Sequence, residues 1–159
     1  FVPTTVKDYL DQAAKAKPGK VLDAADGYSV AGEHRGVMYY TIGQKKGLGL
    51  THSHLERYVI ELRADTNEVV VGTRDMCHWR SLVADRRNFL LPDDLVPGQV
   101  QAQVRYRQKP EPATLTLMDD QRFRLDFHDP QFAVAVGQSA VVYQDDRLLG
   151  GGVIRERLS

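Results

Sequence analysis

The chain is short of several things, and each shortage excludes something. It holds a single cysteine, Cys77, so no internal disulfide forms and a reducing compartment is expected. No apolar run approaches the ~18 residues of a membrane-spanning helix. The amino terminus has neither the basic stretch nor the apolar core of a secretory signal. An excess of either charge is missing too, since 21 Lys and Arg balance 21 Asp and Glu. That argues against a wholly basic nucleic-acid coat but leaves room for a local basic patch on a neutral body. There is no initiator methionine, and a start at Phe1 suggests a piece of a longer protein. The expectation is a cytoplasmic protein with no membrane contact and a further domain elsewhere.

Recognisable catalytic patterns are scarce as well. Leu148 to Ile154 carries three glycines but lacks the Lys-Ser/Thr of a phosphate-binding loop, so nothing here reads as an ATP site. Three glycines inside a strand mark a bulge or a close backbone approach. Cys77-His78 sets a nucleophile beside a base in sequence, which does not put their side chains in contact. His52 and His54 would share a face on a strand, either as a metal pair or as polar loop histidines.

What is present is a β-rich pattern. The length of 159 residues suits one ordinary domain or two small ones, and 42% apolar with 26% charged residues is ordinary for a globular chain. Thr4 to Ala16 reads as the one helix: Thr4 or Thr5 caps it, Val6, Tyr9, Leu10, Ala13 and Ala14 form one apolar face, and Pro18-Gly19 stops it. Period-two strands then follow at Lys20–Asp23, Tyr28–Glu33, Val37–Ile42, Arg57–Leu62 and Glu68–Gly72, with no helix between them. Such a series closes as a small sheet or barrel.

The stretch Thr73–Asn88 is less regular, and a domain boundary is placed near Ala84. Beyond it, strands are expected at Gln99–Gln108, Ala113–Met118, Arg122–Phe127, Phe132–Val134, Ser139–Tyr143 and Arg147–Ile154. Six short strands at roughly nine-residue spacing predict an antiparallel barrel. The fold class is therefore mainly β: an N-terminal helix and a small β domain over residues 1–84, then a six-stranded antiparallel β-barrel over residues 85–159.

Two basic stretches are candidates for contact with a ligand. In Gly43-Gln-Lys-Lys-Gly-Leu-Gly49, Lys45 and Lys46 sit in a loop whose two closing glycines allow positive φ. Such a loop presents cations and backbone N–H groups to a phosphate, or it is a solvated turn. In Val100 to Gln108, strict alternation would place Arg105 and Arg107 on one face with Gln101 and Gln103, and Tyr106 on the other. Arg105, Arg107 and Lys109 beside an aromatic would follow a phosphate ribbon and stack a base, or they would be the outer residues of an ordinary barrel strand with a core tyrosine.

Three strings resemble one family, the tRNA-specific 2-thiouridylases of the MnmA type. They are Tyr40-Thr-Ile-Gly-Gln-Lys-Lys-Gly-Leu-Gly-Leu50, Val104-Arg-Tyr-Arg-Gln108, and Val136-Gly-Gln-Ser-Ala-Val-Val-Tyr143 with Leu149-Gly-Gly-Gly152. The resemblance implies a small central domain followed by a six-stranded barrel like the second domain of elongation factor Tu. It also implies a parent enzyme with a preceding PP-loop domain that binds ATP and Mg²⁺. That parent adenylates the wobble uridine of certain tRNAs, and a cysteine persulfide, fed by a sulfur-relay partner, then leaves 2-thiouridine. The family's second catalytic cysteine precedes a Phe-Ile/Val pair, so by resemblance it would stand just upstream of Phe1-Val2. Cys77 matches neither catalytic position, no catalytic residue falls in this chain, and the piece alone is expected to be inactive.

By the same resemblance the tRNA contacts of the barrel fall on Arg105, Tyr106 and Gln138, and Arg107 joins them from the alternation. Lys45 and Lys46 match the family's basic loop, which faces either the tRNA or the catalytic domain. The family's Thr-Pro before Gly-Gln is Ala135-Val136 here, which frees the turn before Gln138. Two functions are carried forward: a tRNA-positioning region of a sulfurtransferase, and a protein-interaction barrel with no RNA contact of its own.

Overall fold

The computed structural model describes residues 16–51 and 56–158. The helix expected over Thr4–Ala16 lies outside the described residues except for Ala16, and so does the His52–His54 pair. The chain divides into two compact units between Cys77 and His78. The boundary expected near Ala84 falls inside a strand, because the mixed charged and aromatic run that read as irregular is one long bulged strand.

In the first unit, strands β1 (Gly19–Asp23), β2 (Ser29–His34), β3 (Tyr58–Arg63) and β4 (Glu68–Gly72) form one sheet in the order β2-β1-β4-β3. The β1–β4 pair is parallel and the other two are antiparallel, so the sheet is mixed. Val69, Val70 and Val71 of β4 are all buried, as befits an interior strand whose apolar residues run without alternation. Asp23 ties the end of β1 to the start of β3: one carboxylate oxygen accepts from Arg57 Nε at 2.7 Å and the other from the Ala25 N–H at 3.0 Å. His34 is a second tie. Its Nδ1 accepts the Gly36 N–H at 3.0 Å, which leaves Nε2 to donate to the Asn67 carbonyl in the β3–β4 turn at 3.1 Å.

Val37–Ile42 is not the strand that its composition suggests. Val37–Tyr39 forms a tight 3₁₀ turn, closed by Tyr39 N–H to the Gly36 carbonyl and Tyr40 N–H to the Val37 carbonyl. Tyr40 and Ile42 are buried beyond it. β-Branched and aromatic residues fit any half-buried surface, and here packing overrides their strand preference.

The second unit is a closed barrel of strands β5 (His78–Phe89), β6 (Gln99–Gln103), β7 (Glu111–Leu117), β8 (Phe123–Phe132), β9 (Ser139–Gln144) and β10 (Arg147–Leu158), in the order β10-β5-β8-β7-β6-β9. Every neighbouring pair is antiparallel. The expected number of strands is right, but their identity shifts. Phe123–Phe127 and Phe132 belong to one strand, β8, which ends before Ala133 and Val134, and the stretch before Asn88 supplies β5 instead.

Period-two patterning builds the barrel core: Phe123, Leu125 and Phe127 point inward from β8, with Arg124 and Asp126 outward. Gly150, Gly151 and Gly152 let β10 press against both neighbours. A Cβ at these positions would meet the carbonyl oxygens of Asn88, Ala140 and Asp85 at 2.2, 2.3 and 2.4 Å, and the register shifts on both sides of this stretch.

Candidate nucleic-acid interface

The two basic stretches take opposite roles in their units. The loop at Gly43–Leu50 is a strap joining the two outer strands of the first sheet. At one end Gly43 N–H donates to the Val59 carbonyl at 2.7 Å and Val59 N–H to the Gln44 carbonyl at 2.9 Å, on the outer edge of β3. At the other end Leu50 bridges Gly32, and Thr51 N–H donates to the Ala31 carbonyl at 2.9 Å, on the outer edge of β2. Between them Leu48 is only 4% exposed. Gly49 has a positive φ of 69° and lies so close to β2 that an added Cβ would meet the Glu33 carbonyl oxygen at 2.2 Å. Much of the string Tyr40–Leu50 is thus spent on closing the sheet.

Lys45 is engaged rather than free. Its Nζ lies 3.0 Å from Glu56 Oε1, and Tyr58 donates its hydroxyl to the same oxygen. The hydrogen bond that it donates to Glu56 holds the Lys45 ammonium above the usual lysine pKa. The Tyr58 hydroxyl first, and Lys45 second, hold the Glu56 carboxyl below the usual carboxylate range. Lys46 is exposed and enters no ion pair among the described residues.

The barrel's basic stretch is left open. Strand β6 ends at Gln103, and Arg105–Gln108 is a turn closed by Gln108 N–H to the Arg105 carbonyl at 3.2 Å, with Arg107 at φ 65°. The alternation that would have set Arg105 and Arg107 on one strand face therefore does not exist. Tyr106 is not a core residue either, being 88% exposed. Among the described residues Arg105, Arg107 and Lys109 enter no ion pair, whereas Arg57, Arg63, Arg87, Arg122, Arg124 and Arg155 all do. The two guanidiniums rest on rings instead: that of Arg105 is 5.5 Å from the centre of the Phe132 ring, and that of Arg107 is 5.3 Å from the Tyr106 ring.

Gln138 joins this turn across a groove of about 260 Å³ that is also lined by Gln103, Arg105 and Tyr106. Its turn is held despite Val136 in place of proline. Gln138 N–H donates to the Ala135 carbonyl at 3.2 Å, and Ile154 N–H to the Gln138 carbonyl at 2.8 Å. A neighbouring groove of about 300 Å³ is lined by Arg105, Tyr106, Arg107, Gln108 and Phe132. The structure thus brings together Arg105, Tyr106, Arg107 and Gln138, and adds Gln103, Gln108 and Phe132. Phe132 sits in another strand, and no local pattern could have found it.

The barrel is electrically polarised along its axis. The connections at the end bearing the turn, residues 104–110 and 133–138, hold Arg105, Arg107 and Lys109 and no acid. The opposite connections, residues 90–98, 118–122 and 145–146, hold Asp93, Asp94, Asp119, Asp120, Asp145 and Asp146 against Arg122. A neutral chain therefore carries a cationic end that attracts polyanions and an acidic end that repels them. Cys77 offers no competing chemistry: it is fully buried and its Sγ faces the Val59 carbonyl at 3.8 Å.

Two family models match the chain in tandem. One, described as a tRNA methyl transferase PRC-barrel domain, covers residues 7–73, and the other, described as an aminomethyltransferase beta-barrel domain, covers residues 79–154. The tRNA-specific 2-thiouridylase MnmA of Deinococcus radiodurans is 46% identical over 98% of this chain and 41% of its own length. That of Thermus thermophilus is 44% identical over 99% of the chain and 41% of its own length. That of Clostridium kluyveri is 43% identical over 88% of the chain and 39% of its own length. The chain thus spans about two fifths of the relatives it matches.

Proposed function

From its membership of the tRNA-specific 2-thiouridylase family, to which this chain belongs, we infer that it is the tRNA-binding and tRNA-positioning part of such an enzyme, with the cationic end of the barrel as the contact. The observation that carries this reading is the Arg105–Tyr106–Arg107 turn: two arginines without anionic partners among the described residues flank an aromatic ring left in water, beside Gln138. Unpaired guanidiniums bind phosphates, and an exposed ring supplies a stacking face for a base. From the strap, Lys46 is the cation available for a phosphate contact.

For the whole protein we propose the sulfurtransferase reaction, 2-thiolation of the wobble uridine with ATP, Mg²⁺ and a cysteine persulfide from a sulfur-relay partner. Sulfur as the transferred atom follows the names of the relatives, since the family models are described by a methyl group. We place ATP and Mg²⁺ outside this chain; among the described residues no group of three His, Cys, Asp or Glu is placed to hold a metal ion. No step through them is assigned to this chain, and a PP-loop domain would supply both.

The test is equilibrium binding of tRNA to the chain over a range of salt. Wild-type protein is expected to bind weakly and with a salt slope of roughly −0.7 to −0.9 per phosphate contact. Arg105→Glu combined with Arg107→Glu is expected to abolish binding. Unchanged binding in that double variant would remove the barrel end from the RNA site.

A further inference from the structure

Gln108 terminates a chain of side-chain amides whose direction the backbone fixes. Gln131, in β8 and only 5% exposed, donates from Nε2 to the Asp129 carbonyl at 2.7 Å. That leaves Gln131 Oε1 to accept from Gln108 Nε2 at 2.6 Å. Neither amide can be reversed. Turning Gln131 would set its oxygen against a carbonyl, and turning Gln108 would set oxygen against oxygen. Gln108 Oε1 is thus the free end of the chain, an acceptor that is buried and has no donor among the described residues.

A buried acceptor without a donor is disfavoured, and folded proteins keep few of them. This one belongs to a residue lining the groove of about 300 Å³, a size within the range of small-molecule sites. The same groove is lined by the exposed Tyr106 ring, the Phe132 ring and two guanidiniums. Aromatic faces, cations and one directed hydrogen-bonding group are the parts with which proteins hold an unstacked RNA base.

We propose that Gln108 reads a base: an unstacked RNA base enters this groove, lies on the Tyr106 ring and donates an N–H from its Watson–Crick edge to Gln108 Oε1. The proposal rests on the RNA-binding reading above and adds an uncharged recognition element to it. The Arg105–Gln108 turn, closed by one backbone hydrogen bond of 3.2 Å, shifts to admit the base. Gln131 acts as a positioning residue, because it decides which end of the Gln108 amide faces the ligand.

The test uses the full 159-residue chain and fluorescence anisotropy with two probes, oligouridine and the same oligomer methylated at N3. Methylation removes the donor and leaves every phosphate. Wild-type protein is expected to bind the methylated oligomer about tenfold more weakly, the loss of one hydrogen bond of ordinary strength. Gln108→Leu is expected to bind both oligomers alike at the weaker level, with an unchanged salt slope.

Equal binding of the two oligomers by wild-type protein overturns the proposal without any variant having to fold. Gln108→Leu that still discriminates as wild type does overturns it as well. In both cases the tRNA reading stands if Arg105→Glu with Arg107→Glu still abolishes binding. Wild-type protein that binds neither oligomer nor tRNA overturns the RNA reading itself, and this proposal with it.

Discussion

The strap at Gly43–Leu50 and the turn at Arg105–Gln108 look alike in sequence, each a basic cluster in a short connection, and the structure uses them in opposite ways. The strap is anchored at both ends by backbone hydrogen bonds, buries Leu48 and pairs Lys45 with Glu56. The turn is closed by one backbone hydrogen bond, leaves Tyr106 in water and leaves both arginines without a carboxylate among the described residues. A cation held by a neighbouring carboxylate is already satisfied and has little left for a phosphate. One without such a partner keeps its full charge for a ligand. Local charge density therefore does not identify a binding site until the partners of each charge are known.

The largest effect that would sharpen this contrast is on stability. Leu48→Ala is expected to destabilise the first unit by about 2–5 kcal/mol, since it empties a buried leucine position. Amide hydrogen exchange should speed up throughout β1–β4 and stay unchanged in the barrel. Next comes Tyr106→Ala, expected to weaken tRNA binding by about 1–3 kcal/mol of lost stacking. Its melting temperature should not move, because an exposed ring holds nothing together; a fall in melting temperature would make Tyr106 a structural residue and break the comparison.

Smaller still is Lys45→Met. With the ammonium gone, the Glu56 carboxyl should titrate closer to its ordinary range yet remain below it, because the Tyr58 hydroxyl, the first of its causes, stays in place. Carboxyl NMR titration reads this directly, and tRNA affinity should be unaltered. The smallest effect is on the barrel wall. There Arg124 first, and Ser81 after it, hold the Asp126 carboxyl below its usual range. A depressed carboxylate stabilises the fold above its unfolded pKa of about 4 and loses that contribution as pH falls through its folded value. The gap in melting temperature between wild type and Asp126→Asn should therefore be widest near neutral pH and shrink toward about pH 3.

Much of the barrel was legible in the sequence. Inward and outward residues alternate along β7, β8 and β9, and the triple glycine of β10 announces a close backbone approach. The Val37–Ile42 turn was not legible, because burial against a small sheet selects the same residue types as a strand does. Nor was the course of Arg105–Gln108, since nothing in Val-Arg-Tyr-Arg-Gln says that the ladder stops at Gln103. Long-range partners were out of reach altogether: Glu56 beneath Lys45, and Phe132 beneath Arg105, depend on how separate strands come together. The family strings supplied the candidate residues except Arg107, which came from the alternation, and the structure separates those that are ion-paired from those that are not.

The most direct test compares the salt dependence of tRNA binding in two paired variants. Each lost phosphate contact flattens the plot of log K against log salt by roughly 0.7–0.9. Arg105→Ala with Arg107→Ala is expected to flatten it by about two contacts' worth, roughly 1.4–1.8. Lys45→Ala with Lys46→Ala should flatten it by no more than one contact's worth, about 0.9. A strap pair that costs more of the slope than the barrel pair would contradict the assignment of the RNA contact to the barrel's cationic end.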